Sequence, residues 1–210
     1  MSRTMCHKHG GKKTMAAKSY LPDISVIVTC SHHKRWVERC VRSISHQEGM
    51  ISQLLEILII DNADDDHSKI MLENLTTLEN CRLVSGVDLN TAIRHTLGRY
   101  LMLVRADDYL NRNCLQTMKI FLDMNRCYQA VAVDCVTVDN QEKVLERRNG
   151  LQEDAVSGLM FRKENLIDCI QSNPRYHLED APRLRKDFAA RFQIGRLEFP
   201  FYKCYASSLS

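Results

Sequence analysis

Residues 24–45 read ISVIVTCSHHKRWVERCVRSIS, and this stretch sets the fold class. Its first half is a β-branched, mostly apolar run over residues 24–29, interrupted only by Ser25, the pattern of a strand buried on both faces. In its second half Trp36, Val37, Cys40, Val41 and Ile44 recur at helical spacing, which predicts a helix over about 34–46. A doubly buried strand leading into an amphipathic helix is the building unit of a parallel sheet covered by helices.

The unit repeats downstream. Residues 54–60 form a second apolar run ending at Asp61. A helix is expected from Asp64, whose carboxylate suits an N-cap, with Ile70, Met71 and Leu75 inward. A short strand follows at 81–84, then a short helix at 89–97 stopped by Gly98. Residues 100–104 are a fourth strand that delivers Arg105-Ala106-Asp107-Asp108. Asn111 or Asn113 can cap the next helix, which runs to Met124 with Leu115, Met118 and Leu122 inward. Residues 130–138 and 143–146 form a hairpin across Asp139-Asn140-Gln141. A strand at 158–161, helices at 164–170 and 181–192, and a strand at 197–205 complete the chain. The expected fold is α/β, a mostly parallel central sheet flanked by helices over residues 21–210, behind an arm at 1–20 that lacks periodicity.

Composition bounds the function. With 44% apolar and 26% charged residues and only 12 Gly plus Pro among 210, the chain reads as one compact domain. The first 20 residues carry five Lys/Arg and no acid against a net charge of +3, so the remainder carries −2. A nucleic-acid-binding body is excluded by that balance. No apolar run approaches the roughly 20 residues of a membrane span. The nine cysteines are odd in number and several lie in apolar segments, which reads as reduced core thiols of a cytoplasmic protein. The basic arm offers peripheral contact with an anionic membrane face.

In an open α/β sheet ligands bind outside the carboxyl ends of the strands. Thr29, Asp61, Asp107 and Asp108 each follow an apolar strand and are expected to converge there. Paired carboxylates at a strand end suit a hard divalent cation, which in turn holds phosphates. The same two residues also suit a plain turn before Tyr109.

These residues resemble the family-2 glycosyltransferases, inverting enzymes with one GT-A-type domain. Residues 24–47 resemble the family's first strand and helix, LIIDNADD at 58–65 its second strand with an Asp-Asp-Gly-Ser turn, and GRYLMLVRADDYL at 98–110 its fourth strand with an Asp-Ala-Asp-Asp motif. Leu178-Glu179-Asp180 and residues 196–202 are similar to its acceptor half. The resemblance implies a nucleotide-sugar half over about 21–110 and a smaller acceptor half over about 111–210. It implies transfer of a sugar from a nucleotide-sugar donor to a glycan or lipid-linked acceptor in polysaccharide biosynthesis, with Mn²⁺ or Mg²⁺ as cofactor; the basic arm would add peripheral contact with the inner face of a membrane. Thr29, Ser31, Asp61, Asn62, Arg105 and Asp107 would face the donor, and Asp107 and Asp108 the metal. Asp180 would be the general base, with Glu179 in reserve. Pro182 argues that Ala181 caps the last helix and leaves Asp180 for substrate.

The departures from the family are as informative. Arg105 stands where the family has the first acid of its metal motif, a change of two charges. Either Arg105 neutralises the diphosphate through its planar fork, or donor binding is lost and the chain is a glycan- or partner-binding module. Ser31, beside His32 and His33, replaces the tyrosine that packs on the base. Ala63 replaces the turn glycine, and the segment after Val84 is shorter.

Overall fold

The first strand, β1 (Ile24–Cys30), is buried because its alternate residues feed two different layers. Helix α1 (Val37–Ser45) turns Val37, Cys40, Val41 and Ile44 inward. Strand β2 (Leu55–Asp61) and strand β3 (Cys81–Ser85) follow, with residues 72–75 helical between them. Helix α2 (Leu89–His95) precedes β4 (Tyr100–Arg105), and a two-residue strand, β5 (Tyr109–Leu110), leads into α3 (Cys114–Met124). The second half contains β6 (Ala130–Val138), β7 (Val144–Arg148), β8 (Leu159–Arg162), α4 (Lys163–Gln171), α5 (Ala181–Ala189) and β9 (Ile194–Tyr205). This computed structural model describes residues 21–30, 36–61, 72–78, 80–152, 156–172, 176–177 and 180–206. The basic arm and the expected helix start at Asp64 lie outside them.

One nine-stranded sheet runs through the molecule in the order β3-β2-β1-β4-β8-β6-β9-β5, with β7 on β6. The first four neighbours are parallel, as expected; beyond β4 the sheet is mixed, β8 running antiparallel to both β4 and β6. Ile24, Val26, Val28 and Cys30 of β1 pack with α1 and α3, whereas Ile27 joins residues of α2, α4 and α5 on the opposite face. The described cysteines are free thiols, and Cys30, Cys40, Cys81, Cys114, Cys135 and Cys169 are buried, as their apolar settings predicted. Among the described residues no helix is long and apolar enough to cross a membrane.

Several local expectations shift for physical reasons. The last helix ends at Ala189 rather than Phe192, yet Phe192 still packs its ring 4.8 Å from Phe188. Strand β5 is absent from the sequence pattern because two residues carry no period; it exists because β9 supplies its hydrogen-bonding edge, Leu110 opposite Tyr202. The expected hairpin is β6–β7, and its turn places Glu142 at φ 60.

Gly98 does not terminate α2, which is capped by Thr96. It is required instead by proximity: a Cβ there would lie 2.5 Å from the backbone nitrogen of Ser25 and 2.7 Å from the carbonyl carbon of Ile24. Its N–H donates to Ser25 Oγ at 2.8 Å, and Ser25 donates in turn to the buried carboxylate of Glu56. Gly98→Ala is therefore expected to cost about 3 kcal/mol, because strand backbone cannot yield as a side chain can. A chemical denaturation midpoint unchanged from wild type would refute this reading.

Candidate functional site

The strand order places the site. The chain builds outward from β1 through β2 to β3, then returns to the other side of β1 as β4. Ligand crevices in such sheets open at this reversal, beyond the carboxyl ends of the strands. Thr29 pairs with Arg105 across β1 and β4, and Cys30 pairs with Asp61 across β1 and β2. Thr29 and Arg105 therefore stand side by side at the strand ends, Asp61 lies one residue further along at the end of β2, and Asp107 and Asp108 follow in the turn after β4. Ser31, Asn62 and Glu179 lie outside the described residues.

The turn after β4 is held from several sides. Ala106 N–H donates to Thr29 O at 3.1 Å, and Asp108 N–H donates to Arg105 O at 3.0 Å. Tyr202, on β9, donates its hydroxyl to Asp108 Oδ2 at 2.7 Å and accepts from Arg105 N–H at 3.4 Å. The backbone N–H of Tyr205 donates to Asp108 Oδ1 at 3.3 Å. Arg39, on α1, donates from Nη2 to Asp107 O at 3.0 Å. Its guanidinium carbon lies 4.2 Å from the ring centre of Tyr109, 4.6 Å from Trp36 and 5.2 Å from Tyr205. Cation–π contact of this kind holds the arginine rigidly beneath the turn.

Arg105 grips Asp107 side-on, donating from Nε to Oδ1 at 3.1 Å and from Nη2 to Oδ2 at 2.6 Å. The Arg105 side chain is 53% exposed and that of Asp107 only 5%. Burial opposes the charge on Arg105, but the Asp107 hydrogen bond and the charges of Asp108 and Asp107 outweigh it and raise its pKa further. Asp108 is pushed up to about 7 by burial and then by the Asp107 charge, with Arg105 and Tyr202 resisting. Burial, then Asp108, likewise drives the Cys40 thiol well upward, so it serves as a core residue that donates to Arg105 O at 3.4 Å.

These contacts bear on the expected divalent cation. Both carboxylate oxygens of Asp107 are engaged by Arg105, and those of Asp108 by Tyr202 and the Tyr205 amide. Each oxygen keeps a second lone pair, but a dication placed on the Asp107 oxygens would lie against the guanidinium already gripping both of them, so the pair in this arrangement fits one poorly. Among the described residues no group of three His, Cys, Asp or Glu side chains is placed to hold a metal.

Asp180 is the N-cap residue of α5, one position before the cap expected from Pro182, which lies in the first turn. Its side chain makes no capping bond. Instead Oδ2 accepts from His177 N–H at 2.8 Å, while Asp180 N–H donates to His177 O at 3.0 Å. Asp88 caps α2 by accepting from Thr91 N–H at 2.6 Å, and that bond, with smaller help from the charge of His177, holds its carboxyl low. The start of α2 thus faces the turn that carries Asp180.

Three residues here were missed by sequence reasoning. Tyr202 ended a family-like stretch and Arg39 had no motif, and neither showed its role, because their partners lie 94 and 68 residues away in the chain. Asn90 is 5% exposed on α2, and neither of its amide atoms has a hydrogen-bond partner among the described residues. A polar residue on the inward face of a short helix, between Leu89 and Ala92, was the available signal.

The solved structures most similar in fold include residues 1–349 of TarS from S. aureus in complex with UDP, at 17% identity and a TM-score of 0.68, covering 88% of this chain and 61% of that one. The same protein in complex with UDP-GlcNAc matches with a TM-score of 0.70 at 16% identity, covering 90% and 60%. The mannosyltransferase PcManGT from Pyrobaculum calidifontis, in complex with GDP-Man and Mn²⁺, matches with a TM-score of 0.64 at 16% identity, covering 90% and 58%. The chain thus spans about three-fifths of the length of these structures. No curated protein sequence matches it. The family model for Glycosyl transferase family 2 matches residues 25–177, from β1 through the last turn before Asp180. With the same sheet reversal and the same strand-end crevice beneath that match, the chain belongs to glycosyl transferase family 2.

Proposed function

We propose that the chain transfers a sugar from a nucleotide-sugar donor to a hydroxyl of a glycan or lipid-linked acceptor, by a single displacement that inverts the anomeric carbon. The observation that carries this reading is the half-exposed guanidinium of Arg105 at the β1–β4 reversal, where β2 ends one residue further on at Asp61. Solved structures of this fold hold UDP, UDP-GlcNAc and GDP-Man, which supports a nucleotide-sugar as the donor class.

Each side chain then has a task. Asp61, buried at the end of β2, faces the nucleoside. Arg105 stabilises the charge that develops on the departing diphosphate, an interaction that strengthens as the bond breaks and so lowers the barrier. Asp180 takes the proton from the attacking hydroxyl on the opposite face of the sugar. Tyr202 and Arg39 are positioning residues, acting through the turn that carries Arg105.

Product stereochemistry tests this reading. An α-linked UDP- or GDP-sugar is expected to yield a β-linked product, followed by the anomeric proton coupling in NMR. A product that retains the donor's anomeric configuration would overturn the single displacement. No turnover of any donor, together with specific glycan binding, would favour the binding-module reading.

A further inference from the structure

The carboxylates that would serve a divalent cation are already committed inside the protein, and this has a consequence for how the donor is held. We propose that the chain binds the diphosphate of its donor without a divalent cation, on the outward edge of the Arg105 guanidinium, with Asp107 as the fixed counter-ion that orients it. This inference rests on the nucleotide-sugar reading above.

A guanidinium has five N–H donors. Asp107 takes two of them, Nε–H and one of the Nη2 hydrogens. The two Nη1 hydrogens and the second Nη2 hydrogen have no partner among the described residues, and the side chain is 53% exposed. Side-on pairing with Asp107 therefore leaves the opposite edge of the fork open at the crevice. That edge matches two oxygens of a phosphate or diphosphate, the bidentate recognition for which arginine is suited. Its orientation is fixed in advance, because Asp107 is 5% exposed and its backbone carbonyl is anchored by Arg39. A pre-oriented donor loses little conformational entropy when the ligand arrives.

A divalent cation at the same place would have to share the Asp107 oxygens with Arg105. It would also lie beside a guanidinium that is always charged, so the two cations would repel. Charge balance points the same way. Arg39 and Arg105 stand against Asp107 and Asp108, so an incoming diphosphate meets no uncompensated acid at the turn.

The test is calorimetric titration of the full chain with UDP and with GDP, in excess EDTA and again with saturating Mn²⁺. At least one nucleotide is expected to bind in EDTA with an affinity within threefold of that in Mn²⁺. The double variant Arg105→Gln with Asp107→Asn replaces the ion pair by a neutral one, so no buried carboxylate is stranded. It is expected to lose roughly tenfold to a hundredfold in affinity in EDTA, the worth of a charged hydrogen-bonded contact. Arg105→Lys keeps the charge beside Asp107 but not the fork, and is expected to fall between the two. Binding that appears only with Mn²⁺ would overturn metal-independence while leaving the glycosyltransferase reading standing. Unchanged affinity in a folded double variant or in Arg105→Lys would overturn the assignment to Arg105. Failure of every nucleotide to bind in either condition would overturn this inference together with the reading beneath it.

Discussion

Asp180→Asn is expected to lower kcat by about 10²- to 10⁴-fold, the usual contribution of a positioned general base, with donor affinity within about twofold of wild type. The geometry makes this variant discriminating. The Asp180 side chain does not cap α5; it accepts from His177 N–H, and an asparagine oxygen can accept that bond equally well. Asparagine is also as good an N-cap residue as aspartate. The turn and the helix should therefore survive, and the melting temperature should stay within a few degrees. Only proton acceptance is removed, which acts on the transition state and not on the bound donor. Equal losses of activity and donor affinity, with a lowered melting temperature, would show a structural role instead.

The largest stability effect is expected from Asp134→Asn. Asp134 lies on β6 with its side chain 1% exposed and receives two arginines. Arg147, on β7, donates to Oδ2 from Nε at 3.1 Å and from Nη2 at 2.7 Å. Arg196, on β9, donates from Nε to Oδ1 at 2.9 Å and from Nη2 to Oδ2 at 3.0 Å. Gly150 N–H adds a bond to Oδ1 at 3.2 Å. One carboxylate thus joins three strands and the loop after β7. Burial alone would raise its pKa, but the bonds from Arg196, Arg147 and Gly150 outweigh burial and hold it below the ordinary carboxylate value.

An asparagine there removes the charge that joins both arginines, and it turns an NH₂ toward guanidinium donors. Breaking a buried ionic group in this way costs about 3–5 kcal/mol. For a chain of this size that corresponds to a fall in Tm of roughly 10 °C. Because the folded-state pKa is depressed, the stabilisation is fully present above the unfolded value of about 3.9 and is lost as pH falls through the folded value. The Tm difference between wild type and variant should therefore be constant near neutrality and close in strong acid. Equal melting temperatures at pH 7, or a gap that does not narrow as the pH is lowered into strong acid, would refute this account.

The two stability predictions differ in what the sequence offered. Gly98 was visible as a glycine before a strand, and only its reason was misjudged: a breaker signal is local, whereas the 2.5 Å approach to Ser25 belongs to sheet packing. Asp134 offered nothing, since an acid within an apolar strand reads as an interruption until the two arginines arrive from β7 and β9. Asp180 lay between these cases. Proline chemistry set the helix start one residue after it, at Ala181; the structure makes Asp180 itself the N-cap residue, with its side chain accepting from His177 N–H.

What the sequence determined by itself is the β-α alternation from β1 through β4, the hairpin of β6 and β7, the buried thiols, and the delivery of Asp61 and the Arg105–Asp108 turn to strand ends. Those features follow from hydrophobic periodicity, which is written into neighbouring residues. Tertiary structure alone decided that β8 enters between β4 and β6, that β9 creates β5 and brings Tyr202 to Asp108, and that Arg39 supports Asp107 from below. It also decided the pairing of Arg105 with Asp107, two residues apart. A dozen apolar residues suffice to specify a strand and a helix, but which charge meets which depends on where the chain returns after tens of residues and on how much water that return excludes. At this turn the return of β9 buries the two acids and leaves the arginine half in solvent.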